Sequence, residues 1–395
     1  MKTWLSQRVL QLKPSATLAI SAKEKELKAQ GIDVIGFGAG EPDFPTPVHI
    51  REAAKRSLDR GETFYTPVGG TVELKKAIAF RIAQDYGLEY EPSELLVSCG
   101  AKHSLYNIFQ AILDPGDEVL VFAPYWVSYP EMISLCGGVP VVVQTQETEA
   151  FVPNIEAVRS LVTPRTKAMI VNSPSNPSGT VYPPSTLSEL ADLAVQHDLM
   201  VISDEIYDKL LYDNLTFAPF PTFKGMKERC ILVNGVSKTY AMTGFRIGYM
   251  AAANKSIIKA ATDLQSQSTS NPSNPAQAAA VEALQGPQDE VAAMRSIFEK
   301  RRNLMVSLID EIEGISVTKP RGAFYAFVNV AALFGKNGIN DSNDMAAYLL
   351  EKHHVACVPG GAFGSSNHIR LSFATSEKNI VEGMRRIKEA CRELL

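Results

Sequence analysis

The sequence predicts an α/β fold with a large domain, in which helices sandwich a mostly parallel sheet, and a smaller α+β domain. Short apolar runs rich in β-branched residues alternate with helical stretches through the middle of the chain, which is typical of βαβ units. After residue 290 the pattern changes to a long charged helical stretch followed by isolated apolar runs. The length of 395 residues also exceeds the roughly 100–200 residues of one typical domain.

The strands of the large domain are predicted from short apolar runs in which β-branched residues are frequent. These runs are DEVLVFA (117–123), TKAMIVNSP (166–174), LMVISDE (199–205), CILVNG (230–235) and FRIGYMAA (245–252). Between two of them, residues 185–198 carry leucine and alanine at helical spacing, which predicts a helix.

The change of pattern sets the predicted domain boundaries. We assign residues 48–290 to the large domain, and residues 1–47 together with 291–395 to the small domain. The first 47 residues lie outside the regular alternation of strands and helices, so we expect them to pack on the second domain.

Composition argues against nucleic acid and membranes as partners. Lys and Arg total 39 against 43 Asp and Glu, a net charge of -4, and no dense basic stretch occurs. No apolar run reaches the roughly 18–20 residues that span a bilayer. The five cysteines are scattered and the N-terminal residues lack a secretory signal pattern, so we expect a cytoplasmic protein.

Three reactive side chains follow predicted strands. Asn176 lies in the turn-rich NSPSNPSG, Asp204 ends the run LMVISDE, and Lys238 follows CILVNG. Ligands of open α/β sheets bind outside the carboxyl ends of the strands, so an amide, a carboxylate and an amine are expected to meet at one site. Each residue alone would be interpreted as a turn or capping residue, but their coincidence at three strand ends favours a site.

Other residues near these strand ends suit a phosphorylated cofactor. Tyr207 follows Asp204 by three residues, so both could reach one ligand if a helical turn starts there, although a core aromatic is the alternative. The stretch SCGAKHSLYNIFQAIL (98–113) places a glycine before an amphipathic helix whose free N–H groups could hold an anion, and Arg246 could add a bidentate contact. Together with the amine of Lys238, these groups describe a pocket for pyridoxal 5′-phosphate (PLP) that is held by that lysine.

Three other kinds of site are not supported. GFGAGEP (36–42) lacks the G-x-G-x-x-G spacing of dinucleotide-binding loops. Ser237 and Lys238 are adjacent, so their side chains should point apart, which argues against a serine–lysine dyad. The six histidines show no H-E-x-x-H pattern, so a metal site has no support.

Five motifs occur along the chain in one order: APYWVSYPEM, NSPSNPSG, SDEIY, SKTYAMTGFRIGY and HIRLSFA. With these motifs the sequence resembles the class I aminotransferases of fold type I, nearly from end to end. It is most similar to the aspartate aminotransferase branch of bacteria and plant chloroplasts, which also contains prephenate aminotransferases. The resemblance implies a PLP-dependent homodimer that moves an amino group between aspartate or glutamate and 2-oxo acids.

The resemblance also implies how the cofactor is bound. Lys238 would hold its aldehyde and later move a proton at the substrate α-carbon. Asp204 would pair with the pyridine N–H and so keep the ring able to accept electron density. Tyr207 and Asn176 would hydrogen-bond the 3′-oxygen, and Trp126, otherwise a plain core aromatic, would stack on the ring.

For the cofactor phosphate, the resemblance implies three positions of this chain: Gly100, Ala101 and Arg246. Tyr65 would reach the phosphate from the other subunit, so that the two sites of a homodimer are shared. Many relatives carry a phosphate-binding serine three residues before the lysine, but that position here is Gly235. We therefore assign a phosphate role neither to this glycine nor to Ser237, which lies in a different register.

The residues implied to bind substrate are Gly40, Lys102, Trp126, Asn176 and Arg370. Arg370 would fork onto the α-carboxylate, where Gly40 makes a backbone contact; without its motif, the arginine would be interpreted as a surface salt-bridge residue. Lys102 would bind the distal carboxylate of a dicarboxylic substrate. The alternative is a solvent-exposed lysine in the first turn of the helix, but cations are disfavoured near a helix N-terminus. Ser15 and Thr17 would close over the same end of the substrate.

Two other functions stay open. Transamination of prephenate to arogenate is the alternative among enzymes, since Lys102 could also hold the ring carboxylate of prephenate. A non-catalytic cofactor-binding domain of a transcription regulator is the alternative outside enzymes. That regulator would need a basic DNA-binding module before the fold, and we expect none in the short N-terminal segment.

Overall fold

The computed structural model describes residues 4–395 of the chain. Its α-helices are α1 (Gln7–Leu10), α2 (Ala16–Ala29), α3 (Val48–Asp59), α4 (Val72–Tyr86), α5 (Ala101–Ile112), α6 (Ser128–Leu135), α7 (Ile155–Ser160), α8 (Pro184–Gln196), α9 (Lys255–Ser266), α10 (Asn274–Gln285), α11 (Asp289–Asp310), α12 (Ser342–His353) and α13 (Glu377–Leu394). Its β-strands are β1 (Ile35–Gly36), β2 (Leu95–Ser98), β3 (Glu118–Ala123), β4 (Val139–Gln144), β5 (Thr166–Asn172), β6 (Met200–Asp204), β7 (Cys230–Gly235), β8 (Gly248–Ala251), β9 (Ser316–Val317), β10 (Tyr325–Asn329), β11 (Val355–Ala356), β12 (Val358–Pro359) and β13 (His368–Ser372).

The largest sheet has seven strands in the order β2-β8-β7-β6-β5-β3-β4. Strand β8 is antiparallel to both of its neighbours, and the other neighbouring pairs are parallel. Strands β2, β3, β7 and β8 are buried at every position, as is expected when helices cover both faces of a parallel sheet. The predicted α/β fold with a mostly parallel sheet is therefore confirmed.

Alternate residues of the sheet enter hydrophobic clusters on opposite faces. In β2, Leu95 and Val97 pack with residues of α3, α4 and α10, whereas Leu96 packs with residues of α5, α6 and α9. Successive side chains of a strand point to opposite faces, so one buried strand contributes to two cores. This packing holds the strand ends, and the polar residues that follow them, in defined positions.

Most of the predicted elements are confirmed, with ends that differ by at most two residues. The strand predicted from residue 245 is the exception, because it begins three residues later, at Gly248. Thr243–Phe245 form a 3₁₀ turn, and Arg246 adopts a left-handed conformation with φ +57°. A left-handed residue cannot continue a strand, so the chain turns here before it enters the sheet.

Two smaller sheets lie in the parts of the chain assigned to the small domain. One is antiparallel, in the order β12-β13-β10-β9, and the other pairs β1 with β11 in parallel. Phe37, just after β1, belongs to the same buried cluster as Val355 and Ile380. The N-terminal segment thus packs against the C-terminal part of the chain. The domain boundaries at residues 47 and 290 stay predictions, the second of them falling in the first turn of α11.

Candidate active site

A cavity of about 540 Å³ lies at the carboxyl ends of the parallel strands. The register pairs Asn172, the last residue of β5, with Asp204, the last residue of β6. All of the predicted site residues except Gly100 and Tyr65 line this cavity, and so do Ser15 and Thr17; the predicted residues on its wall are Gly40, Ala101, Lys102, Trp126, Asn176, Asp204, Tyr207, Lys238, Arg246 and Arg370.

Asp204 presents a carboxylate from the end of β6. The residue is 4% exposed, and its Oδ2 accepts a hydrogen bond of 2.6 Å from the Tyr129 hydroxyl. Its Oδ1 accepts a longer bond, of 3.3 Å, from the backbone N–H of Ile206. Burial raises the pKa of Asp204 to about 6, although the Tyr129 and Ile206 hydrogen bonds and the charge of Lys238 act against this rise.

Lys238 follows β7 and reaches the cavity with its amine. Nζ donates a short hydrogen bond to the carbonyl oxygen of Gly40, 198 residues away in sequence. Burial lowers the pKa of this amine to about 8; Glu41 opposes the shift, and the charges of Arg370 and Arg246 add to it. An amine with this pKa has an appreciable neutral fraction near neutral pH, and the neutral form is the nucleophile.

Arg370 is a buried cation in the middle of β13. It is 1% exposed, Nη1 donates to Asn176 Oδ1 at 3.0 Å, and Nη2 donates to the Gly38 carbonyl oxygen at 2.8 Å. Within residues 4–395, its Nε has no hydrogen-bond partner and no carboxylate forms an ion pair with it. The interpretation of Arg370 as a surface salt-bridge residue is therefore wrong. An unpaired buried cation is costly, so this geometry favours an incoming anion.

Two tyrosines connect Arg370 with the residues that follow β6. The hydroxyl oxygens of Tyr207 and Tyr325 are 2.9 Å apart, and the Arg370 guanidinium lies 4.4 Å from the centroid of the Tyr325 ring. Burial raises the pKa of both phenols, so they stay neutral hydrogen-bonding groups. Tyr325 therefore connects Tyr207, which is predicted to bind the cofactor oxygen, with Arg370, which is predicted to bind the substrate carboxylate.

An anion cradle forms where α5 begins. Gly100 caps this helix with φ +87°, and a Cβ built on it would lie 2.2 Å from a guanidinium nitrogen of Arg246. Any larger residue would displace that arginine, whose Nη1 donates to the Thr243 carbonyl oxygen at 3.0 Å. The first N–H groups of a helix have no partner inside it, so α5 and Arg246 together can hold a phosphate.

Lys102 and Trp126 lie side by side on the cavity wall. Lys102 Nζ is 4.8 Å from the centroid of the Trp126 ring, which packs edge to face against Tyr129 at 5.3 Å. Partial burial, and then the charge of Arg246, lowers the pKa of Lys102. The ammonium thus has an aromatic face beside it but no carboxylate partner within the described part of the chain, which leaves it able to bind an anion.

Two positions considered for the cofactor phosphate, Tyr65 and Gly235, do not line this cavity. Tyr65 is 90% exposed and does not line the cavity of its own chain, so its predicted role in a partner subunit stays a prediction. At Gly235, a Cβ would lie 2.9 Å from the carbonyl oxygen of Ile247, so the strand has no room for a serine there. Ser237, the residue directly before Lys238, lines the cavity instead.

The sequence analysis missed three buried residues of the site. Tyr129 bonds Asp204, Tyr325 bonds Tyr207, and the Asn172 amide donates to the Asp204 carbonyl oxygen at 2.9 Å. Tyr129 lies in the motif APYWVSYPEM, three residues after Trp126. This position in the motif could have indicated that Tyr129 belongs to the site. No motif pointed to Tyr325, because its partner Tyr207 lies 118 residues away in the sequence.

Residues 4–395 contain neither a metal-binding cluster nor a membrane-spanning helix. No group of three or more His, Cys, Asp and Glu side chains is arranged to hold a metal ion in this part of the chain. No helix in it is long and apolar enough to cross a membrane.

Comparison with known proteins identifies the family. Residues 32–387 match the family model for aminotransferase class I and II. The chain is 48% identical to an aspartate aminotransferase of Bacillus subtilis over 97% of this chain and 98% of that protein. It is 46% identical to an aspartate/prephenate aminotransferase of Thermus thermophilus over 97% of each. A solved structure of aspartate aminotransferase from Thermus thermophilus with maleate superposes with a TM-score of 0.93 at 45% identity, covering 98% of this chain and 100% of that one. The chain belongs to the class I and II aminotransferases.

Proposed function

We propose that this protein is a PLP-dependent aspartate aminotransferase, which moves an amino group between aspartate or glutamate and 2-oxo acids in two half-reactions. One observation carries the proposal: a single cavity joins the amine of Lys238, the buried carboxylate of Asp204 and the guanidinium of Arg370, which has no carboxylate partner among residues 4–395. The names of relatives that are 48% identical over nearly the full chain support it.

The residues present fit PLP. The α5 N-terminus with Arg246 would hold the phosphate, and the absence of a Cβ at Gly100 leaves room for that arginine. Asp204 would face the pyridine nitrogen, Trp126 would stack on the ring, and Tyr207 and Asn176 would bind the 3′-oxygen. When bound, PLP supplies an electron sink for the electrons released at the substrate α-carbon.

The two titratable residues have pKa values suited to their proposed tasks. Lys238, with a pKa of about 8, can bind the cofactor as an amine and then remove and return a proton at the α-carbon. Asp204, with a pKa of about 6, is mostly ionised above pH 7, so it can stabilise a protonated ring nitrogen. Both shifts have burial as their largest cause, so the packing of the fold around Lys238 and Asp204 tunes the two groups.

The substrate would lie between Arg370 and Lys102. Each terminal nitrogen of Arg370 keeps one N–H beyond its bond to Asn176 or Gly38, which suits a bidentate contact with the α-carboxylate, and Gly40 lines the same cavity. Lys102, beside Trp126, would bind the distal carboxylate of aspartate, and Ser15 and Thr17, which line the same cavity, would close over this end of the substrate. A dicarboxylic substrate then has one cation for each carboxylate.

Replacing Lys102 with alanine tests the substrate class. A charge-assisted hydrogen bond contributes roughly 1.5–3 kcal/mol, so kcat/KM for aspartate should fall by on the order of ten- to a hundredfold. The loss for alanine, which has no distal carboxylate, should be several times smaller. Steady-state kinetics with both amino acids measure the difference, with Lys255→Ala as a control because that exposed lysine pairs with Glu91 far from the cavity. Equal losses for aspartate and alanine would remove Lys102 from this role.

Prephenate aminotransferase is the second candidate. Relatives with 45–46% identity from Thermus thermophilus and Cereibacter sphaeroides carry the name aspartate/prephenate aminotransferase. Lys102 could hold the ring carboxylate of prephenate in the place of an aspartate side chain. A panel of 2-oxo acids that includes prephenate, assayed with aspartate and glutamate as donors, distinguishes the two activities.

We infer that the active unit is a homodimer with shared sites, since Tyr65 is 90% exposed and is absent from the cavity of its own chain. Tyr65→Ala and Lys238→Ala variants should each be inactive or strongly impaired alone. Mixed dimers should recover part of the wild-type rate, up to about a quarter at equal mixing, because one of their two sites regains both residues. No recovery, despite subunit exchange shown by mass spectrometry, would contradict shared sites.

We also propose a reducing, cytoplasmic location. All five cysteines are free thiols in the structure, and three of them are buried. Disulfide-free cysteines of this kind are typical of reducing compartments.

A further inference from the structure

The carboxylate of Asp204 is held by a buried phenol that no assigned role includes. Tyr129, in the first turn of α6, is 2% exposed and donates its hydroxyl to Asp204 Oδ2 at 2.6 Å. The second carboxylate oxygen, Oδ1, accepts only the longer bond of 3.3 Å from the Ile206 N–H among the described residues. The short bond from Tyr129 is therefore the stronger constraint on the orientation of the carboxylate.

We propose that Tyr129 is a positioning residue, whose hydroxyl holds the Asp204 carboxylate in one orientation toward the cavity and keeps it ionised. The value of this contact for catalysis rests on the proposed function, but its effect on Asp204 does not. Tyr129 is among the residues that line the cavity, and its proposed effect on the cofactor passes through Asp204.

The backbone around Asp204 is already fixed by other contacts, which leaves only the side chain to be oriented. Asn172 Nδ2 donates to the Asp204 carbonyl oxygen at 2.9 Å, and β6 pairs with β5 and β7 up to this residue. Once the backbone is fixed, a carboxylate can still turn about its two side-chain torsions. Tyr129 removes that freedom, because it approaches from α6 on one face of the sheet.

The direction of the hydrogen bond is set by the environment of both partners. Burial and the neighbouring Asp204 charge raise the pKa of Tyr129 far above its ordinary value, so the phenol keeps its proton and acts as the donor. A donor stabilises the charged form of a carboxyl group, which opposes the effect of burial on Asp204. The other groups that face this carboxylate are the Lys238 amine and the neutral phenol of Tyr207.

The ring and the hydroxyl of Tyr129 have separable tasks. The ring packs edge to face against Trp126 at 5.3 Å and belongs to the buried cluster with Ile133 and Val233. Tyr129→Phe keeps this ring and removes only the hydroxyl, so it tests the contact to Asp204 without removing the support of Trp126.

The test measures the Asp204 pKa in the full-length chain without cofactor, by NMR of ¹³C-carboxyl-labelled aspartate, with the Asp204 signal assigned from an Asp204→Asn variant. Loss of a charge-assisted hydrogen bond should raise this pKa by about one to two units in Tyr129→Phe. Tyr90→Phe is the matched control, because Tyr90 is also buried but its hydroxyl has no partner among residues 4–395. The Asp204 pKa in that control should equal the wild-type value. An unchanged pKa in Tyr129→Phe would overturn the proposal.

A second readout follows the cofactor. With PLP as the probe, retention during dialysis should weaken by on the order of tenfold or more in Tyr129→Phe and stay at the wild-type level in Tyr90→Phe. Equal retention in Tyr129→Phe and wild type would contradict the positioning role. Failure of the wild-type chain to bind PLP would instead overturn the proposed function, while the NMR result for Asp204 would still decide the contact itself.

Site-specific 3-fluorotyrosine at position 129 keeps the proposal testable if Tyr129→Phe does not fold. Fluorine makes the phenol a stronger donor with almost the same shape, so the Asp204 pKa should fall instead of rise. A pKa that stays at the wild-type value in this variant would also overturn the proposal.

Discussion

Replacing Lys238 with alanine is expected to lower kcat for amino transfer by about 10⁴-fold or more, because one amine carries both the covalent attachment and the proton transfer. The wild-type protein reconstituted with PLP should show the visible absorbance band of a lysine-linked cofactor, whereas this variant should show only the band of unlinked PLP. Among residues 4–395, the only hydrogen bond that the Lys238 side chain donates is the one to the Gly40 carbonyl oxygen. Its removal should therefore cost no more than about 1–2 kcal/mol of folding free energy.

Lys227→Ala is the control for this experiment. Lys227 lies over the Tyr90 ring at 5.8 Å and does not line the cavity, so its loss should leave kcat and the visible band unchanged. Thermal unfolding of both variants checks that the fold is retained. A Lys238→Ala protein with wild-type turnover would disprove the assignment of this lysine.

Replacing Arg370 with lysine is expected to lower kcat/KM for every amino acid by roughly 10²–10⁴-fold. Lysine keeps the charge but cannot form the planar fork, so one charge-assisted hydrogen bond of roughly 1.5–3 kcal/mol is lost. The remaining loss comes from poorer orientation of the α-carbon against Lys238, where small displacements can cost about a hundredfold. The contacts of Arg370 to Asn176 Oδ1 and the Gly38 carbonyl oxygen would be lost as well.

The dependence on substrate distinguishes Arg370 from Lys102. All amino acids share the α-carboxylate, so the loss in Arg370→Lys should be similar for aspartate, glutamate and alanine. Arg295→Lys, an exposed position on α11, should have wild-type kinetics. A loss in Arg370→Lys that is confined to dicarboxylic substrates would show that this arginine binds the distal carboxylate instead.

The sequence predicted most of the strands around the site because local rules decide them. A buried parallel strand is a short run of β-branched residues, and its carboxyl end is where a polar residue follows. Asp204 and Lys238 could therefore be placed next to each other before any contact was known. The start of β8 at Gly248 could not be predicted. Arg246 adopts a left-handed conformation and places its guanidinium beside Gly100 at the start of α5. This arrangement depends on where α5 lies in space, which the local sequence does not show.

By itself, the sequence determined the α/β class, the residues at the strand ends and, through its ordered motifs, the likeness to a family. Only the tertiary structure decided what those side chains touch. The hydroxyl of Tyr129 meets Asp204 across 75 residues, and that of Tyr325 meets Tyr207 across 118. The protonation state of each group follows from these contacts and from burial. Burial lowers the pKa of Lys238. Arg370 is buried as well and has no carboxylate partner among the described residues. The physical reason is that periodicity and turn chemistry act over a few neighbouring residues, whereas desolvation and charge interactions depend on distances in space.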